Sequence, residues 1–123
     1  MKLVNLMIGN YVVYKGDLRT INEIRSRTDK VVLSSGEVVG PEELDSIPID
    51  SRSLYNNLGA SSILEGGITK YFIEVDKENL FTIIEGDKFW KGIIKNMNSG
   101  VIVVESSRLE YVHQIQNLIN IFK

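Results

Sequence analysis

Apolar and polar positions alternate in short runs over the first fifty residues. Residues 10–15 form a β-rich run closed by a turn at Gly16-Asp17. Residues 18–24 alternate, with Leu18, Thr20, Asn22 and Ile24 on one face and Ile21 on the other. Residues 30–33 and 37–39 read as two further strands around a tight turn at Ser34-Ser35-Gly36. Short strands with turns at this spacing predict a small antiparallel barrel or a strongly bent sheet. Gly40-Pro41-Glu42-Glu43-Leu44 reads as one helical turn with Pro41 near its start. Ile47-Pro48-Ile49 is then extended, because proline disfavours the helical region for the residue before it.

From Asp50 onward the pattern changes. Asp50 or Ser51 can cap a short helix through Leu58, with Leu54, Tyr55 and Leu58 on its apolar side and Gly59 placed to end it. Residues 60–67 read as a loop. Strands are expected at 69–76, 80–85, 88–95 and 101–105, joined by turns at Lys77-Glu78-Asn79, Gly86-Asp87 and residues 96–100. Residues 111–122 close the chain as an amphipathic helix, with Val112, Ile115, Leu118, Ile119 and Phe122 as its apolar stripe. Its polar face holds His113, Gln114, Gln116, Asn117 and Asn120, with no Lys, Arg, Asp or Glu between Glu110 and Lys123. Exposed helix faces ordinarily carry Glu and Lys. Amides that both donate and accept suggest directed hydrogen bonding instead, first to the chain's own loops and second to a partner.

Composition narrows the function classes. The 123 residues are 43% apolar and 24% charged, as in an ordinary globular protein. The formal charge is −2, and neither half of the chain is basic, so charge gives no reason to expect general affinity for nucleic acid. The absence of cysteine removes disulfides, thiolate zinc sites and cysteine nucleophiles. No run approaches the ~18 apolar residues of a membrane span. The opening residues 1–8 are too short for a secretion signal core. The expected setting is the cytoplasm, with no membrane partner.

Catalytic chemistry finds little support. His113 is the only histidine and has neither a second His nor a Cys to share a metal. The carboxylates Glu74 and Asp76 share a strand face, yet no calcium-loop pattern surrounds them. Glu65-Gly66-Gly67-Ile68 lacks the Lys-Ser/Thr of a phosphate loop, and no Gly-x-Ser-x-Gly elbow occurs. The expectation is a protein that is not an enzyme and takes no cofactor or metal.

Binding residues are easier to nominate. Lys88-Phe89-Trp90-Lys91 places Lys88 and Trp90 on one strand face, where Trp90 can stack on a ligand; the alternative is a core tryptophan packed on Gly92. Tyr11 and Tyr14 lie on opposite faces of the first strand, which leaves one of them at the surface. Arg19, Arg25, Arg27 and Lys30 cluster around one hairpin end, balanced by Asp17, Glu23 and Asp29, and read as a solvated turn. The candidate binding set is Trp90, Lys88, His113, Gln116, Asn117, Asn120, Tyr11 and Arg108.

Two strings carry a resemblance. One is Ile8-Gly9-Asn10-Tyr11-Val12, followed by Gly16, Ile21, Ile24 and Glu43-Leu44-Asp45-Ser46-Ile47-Pro48-Ile49. The other is Tyr111-Val112-His113-Gln114-Ile115-Gln116-Asn117-Leu118. Together they resemble small uncharacterised phage and prophage proteins with an N-terminal SH3-like barrel and a C-terminal His-Gln-x-Gln-Asn-Leu helix. Relatives often carry a longer middle helix ending in Gly-Phe, where this chain has Leu58-Gly59-Ala60. Pattern and resemblance together predict a β-rich α+β fold. An SH3-like antiparallel barrel over 1–50 would be followed over 51–123 by a short helix, a four-stranded meander and the terminal helix, packed as one unit. The resemblance also implies a phage context and the host-cell cytoplasm.

The resulting expectation is a non-catalytic accessory protein, a counter-defence factor that engages a host protein. A second reading is sequestration of a nucleotide signal by Trp90, Tyr71, Arg108 and His113. A third is weak nucleic-acid binding through Tyr11, Tyr14 and the turn at residues 25–30. An exposed edge of the meander, or the amide face of the last helix, could also pair two copies of the chain.

Overall fold

The computed structural model describes residues 1–122. Two antiparallel sheets and two helices make up the chain. The first sheet contains β1 (Tyr11–Tyr14), β2 (Asp17–Arg25), β3 (Lys30–Leu33), β4 (Val38–Val39) and β5 (Leu44–Asp45), in the order β4-β3-β2-β1-β5. It is strongly curled around a core of Leu6, Val12, Tyr14, Ile21, Val31, Leu33, Val39 and Leu44. Single 3₁₀ turns sit at Leu3–Asn5 and at Pro41–Glu43, the second beginning on the proline as expected.

Simple alternation does not hold along β2. The register slips between Ile21 and Glu23, and the extra residue brings Ile21 and Ile24 against the same core. Leu18, expected to share a face with Ile24, is exposed instead. A bulge of this kind bends the strand and helps the sheet to curl. Tyr14 is buried and Tyr11 is half-buried, which matches their opposite parity.

The second sheet is a continuous meander, β10-β9-β8-β7-β6, built from β6 (Ser61–Glu65), β7 (Ile68–Glu74), β8 (Asn79–Glu85), β9 (Trp90–Asn96) and β10 (Ile102–Leu109). It therefore has five strands rather than the expected four. Residues 61–65, read as loop, pair with β7 from Ser61↔Phe72 to Glu65↔Ile68. Gly66 and Gly67 form the connecting turn with φ of 60° and 79°, a backbone region open mainly to glycine.

Helix α1 (Ser51–Asn56) starts at Asp50, whose carboxylate accepts the Ser53 N–H at 2.7 Å while Ser53 Oγ accepts the Asp50 N–H at 3.0 Å. Gly59, at φ 65°, turns the chain out of the helix into β6. Helix α2 (Val112–Phe122) lays Val112 and Ile115 inward, and Ile115 joins Ile49, Leu54, Tyr71, Val75, Phe81, Ile83, Ile94 and Leu109 in the second core. Gly92 is needed there. A methyl at that position would meet Phe81 at 2.5 Å and Leu109 at 2.6 Å, so the glycine makes room for these two rather than for Trp90.

The segment between the lobes is extended, as Pro48 predicts. Pro48 bridges Tyr111, the Ile49 N–H donates to Glu110 O at 3.0 Å, and the Val112 N–H donates to Ile47 O at 2.8 Å. This short pairing places the start of α2 beside the exit of the first lobe. Among the described residues, no helix is long and apolar enough to cross a membrane.

Candidate functional site

The polar face of α2 is turned toward the first lobe. Gln116 Oε1 accepts the Tyr11 N–H at 2.8 Å, and Gln116 Nε2 donates to Gly9 O at 3.1 Å. One side-chain amide thus takes the two backbone groups that a neighbouring strand would take. Asn117 Oδ1 accepts from Asn10 Nδ2 at 2.8 Å, and Asn117 Nδ2 donates to Asn5 O at 2.9 Å. Asn10 is fully buried, and its own Oδ1 accepts the Met7 N–H at 2.8 Å. The oxygen and nitrogen of all three amides are therefore partnered.

This geometry explains why the face carries no charge. Lysine offers no acceptor and glutamate no donor, so neither can serve both sides of such a contact. Gln114 completes the pattern by accepting the Glu110 and Tyr111 N–H groups at 2.7 and 2.9 Å, which caps the helix start. Of the polar face, Asn120 alone is exposed.

His113 lies apart from these bonds. It is buried, and its ring stacks on Tyr111 with centroids 5.8 Å apart and planes 12° from parallel. Its Nδ1 is buried without a partner. Burial pushes the imidazole below its usual value, and the positive N-terminus adds to the effect. It borders a cavity of about 310 Å³ with Met1, Lys2, Asn5, Ser46, Tyr111 and Gln114.

Trp90 lies at the start of β9, half-buried against the second core. Its ring meets the buried Tyr71 edge to face at 5.8 Å and 62°, and Tyr71 meets Tyr55 at 5.8 Å and 70°. Tyr55 is hydrogen-bonded through its hydroxyl to Ser62. Trp90 and Tyr71 line a cavity of about 300 Å³ with Gly67, Ile68, Thr69 and Glu85. Lys88 is exposed in the turn before β9, and Arg108 is exposed near the end of β10. Burial raises the Tyr71 phenol above its usual value, with Tyr55, Glu85 and Asp50 adding to the shift.

The nominated residues thus fall into separate places. Gln116 and Asn117 join Asn10, which lies outside the candidate binding set. Trp90 joins Tyr71 and Glu85, while His113 borders a different cavity. The hairpin turn at Gly86-Asp87 points to Glu85, since pairing β8 with β9 across it sets Glu85 directly opposite Trp90. In the basic hairpin, Arg25 pairs with Glu23 at 3.0 Å and Arg19 with Asp17 at 3.7 Å, all at the surface.

Among the described residues, the opposite face of the second sheet contributes to neither core. Register places Ile63, Lys70, Phe72, Glu74, Leu80, Thr82, Ile84, Lys91, Ile93, Lys95, Ile102 and Glu105 on it. None of these belongs to either core, and Ile63 and Ile102 are 55% and 51% exposed. Lys91 and Glu105 form an ion pair across the face at 3.1 Å. A shallow cleft lined by Gly59, Ser61, Ile63, Phe72, Glu74 and Leu80 runs along its β6 side. Comparison with protein-family profiles, with curated proteins and with solved structures finds no match for this chain.

Proposed function

We propose that this protein is a non-catalytic binding module that engages another protein through the face of its second sheet that contributes to neither core. One observation carries the reading. Half-buried Phe72, Leu80, Ile84 and Ile93, with the exposed Ile63 and Ile102, share one sheet face with Lys70, Lys91, Lys95, Glu74 and Glu105, and among the described residues none of them belongs to either core. An apolar centre with a charged rim is the usual make-up of a protein-binding patch. The phage setting, a counter-defence factor acting on a host protein, rests on the resemblance of residues 8–12 and 111–118. In that reading the curled first sheet is the SH3-like barrel.

The nucleotide reading has less support. Trp90 and Tyr71 line one cavity, His113 borders another and Arg108 lines neither, and Glu85 beside Trp90 repels phosphate. Self-association through the amide face competes with the internal bonds of Gln116 and Asn117, which leaves the meander edges at β6 and β10 as the surfaces for a second copy.

The test is capture from infected cells with wild-type protein and with Ile93→Lys, whose folding is checked by circular dichroism. A defined host protein retained by the wild type and lost with Ile93→Lys is the expected result. A copurifying nucleotide absorbing at 260 nm, or equal capture by both forms, would overturn the proposal.

A further inference from the structure

The cavity at Trp90 is on the other side of the sheet from the apolar band, and its chemistry is different. Trp90 and Tyr71 form two aromatic walls inclined at 62°, with ring centroids 5.8 Å apart. Glu85 sits directly opposite Trp90 in register and contributes a carboxylate to the same space. Among the described residues Glu85 makes neither an ion pair nor a side-chain hydrogen bond, and the Tyr71 hydroxyl has no hydrogen-bond partner.

We propose that this cavity binds an organic cation, an ammonium or guanidinium group, held by the Trp90 and Tyr71 rings and the Glu85 carboxylate. Aromatic faces carry negative electrostatic potential and attract cations within about 6 Å of the ring, tryptophan most strongly. The carboxylate supplies the opposite charge and excludes phosphates and carboxylates. A hard divalent metal fits poorly, because such ions take six or more oxygen ligands and only one carboxylate is present. At about 300 Å³ the space is at the small end for ligand sites and suits a single charged head or one side chain.

Trp90 is the only tryptophan, so its fluorescence reads the site without a label. Titration with tetramethylammonium chloride is expected to give a saturating change that sodium chloride at equal ionic strength does not. Glu85→Gln, which keeps Trp90 and an exposed strand end, is expected to weaken binding about fivefold or more, with an unchanged melting curve. Two further arms separate the sources of the cation. A Gly-Gly-Arg-Gly-Gly peptide binding more tightly than N-acetylarginine amide points to a partner's side chain; equal binding points to a free small cation. A linear, non-saturating response, an equal response to sodium chloride, or the same affinity in Glu85→Gln would overturn the proposal. Because the apolar band lies on the opposite face, Ile93→Lys leaves this titration unchanged, and either proposal can fail alone.

Discussion

The second core is flanked by two polar surfaces that differ in how their groups are paired. On the helix side, Gln116, Asn117 and Asn10 form a closed set in which each amide oxygen and nitrogen has a protein partner. At the end of the sheet, the Glu85 carboxylate and the Tyr71 hydroxyl line a cavity without any. Both places contain residues that look functional in the sequence. Pairing separates them. A completed hydrogen-bond set stabilises and orients the fold, whereas unpaired polar groups beside aromatic walls are available to a ligand.

Substitutions can break this comparison, and the largest effect is expected at Asn10. Asn10→Ala removes two hydrogen bonds from a fully buried site and leaves the Met7 N–H and the Asn117 oxygen unpaired. The expected loss is about 2–3 kcal/mol of unfolding free energy, read by urea denaturation at constant slope. Gln116→Glu ranks next. It keeps the acceptor for Tyr11 N–H but loses the donor to Gly9 O and adds a charge to a half-buried contact. A loss of about 1–2 kcal/mol is expected; stability equal to wild type would show that the uncharged face is incidental.

A smaller effect belongs to His113. Its folded-state value is below the usual 6.5, so the folded protein holds it neutral while the unfolded chain takes up a proton. The unfolded state then binds more protons, and the stabilising contribution is complete above 6.5 and declines as pH falls through that value. Denaturation midpoints between about pH 7 and pH 5.5 should fall in the wild type and stay flatter in His113→Phe. The smallest change is expected at Glu85. Glu85→Gln should move stability by less than about 0.5 kcal/mol, because no protein contact is lost. A large destabilisation there would mean that Glu85 belongs to the fold, and the contrast between the two surfaces would disappear.

Much of the architecture was legible from local pattern. Asp50, Gly59, Pro41 and Pro48 act through their own backbone chemistry, and each marks the element boundary that its residue type predicts. The amide face of α2 could be seen to want hydrogen bonds because Gln and Asn replace the usual charges. What could not be read were features that depend on a distant partner. Residues 61–65 read as loop because Ser61 and Ser62 carry no strand signal; pairing with β7 makes them a strand. The bulge in β2 moves Ile24 onto the core side, which strict alternation cannot foresee. Asn10 looked like an ordinary strand-end residue, and its role appears only when residue 117 arrives beside it. The cavity at Trp90 likewise needs Tyr71 from another strand.

The central claim is that the amides of α2 bind the two lobes together by specific pairing, and a double-mutant cycle tests it most directly. Asn10→Ala, Asn117→Ala and the double variant would be unfolded in urea beside the wild type. The hydrogen bond of 2.8 Å between these side chains predicts a coupling energy of about 1 kcal/mol or more, with the double variant less destabilised than the sum of the singles. Additive losses, with coupling within about 0.3 kcal/mol of zero, would contradict it.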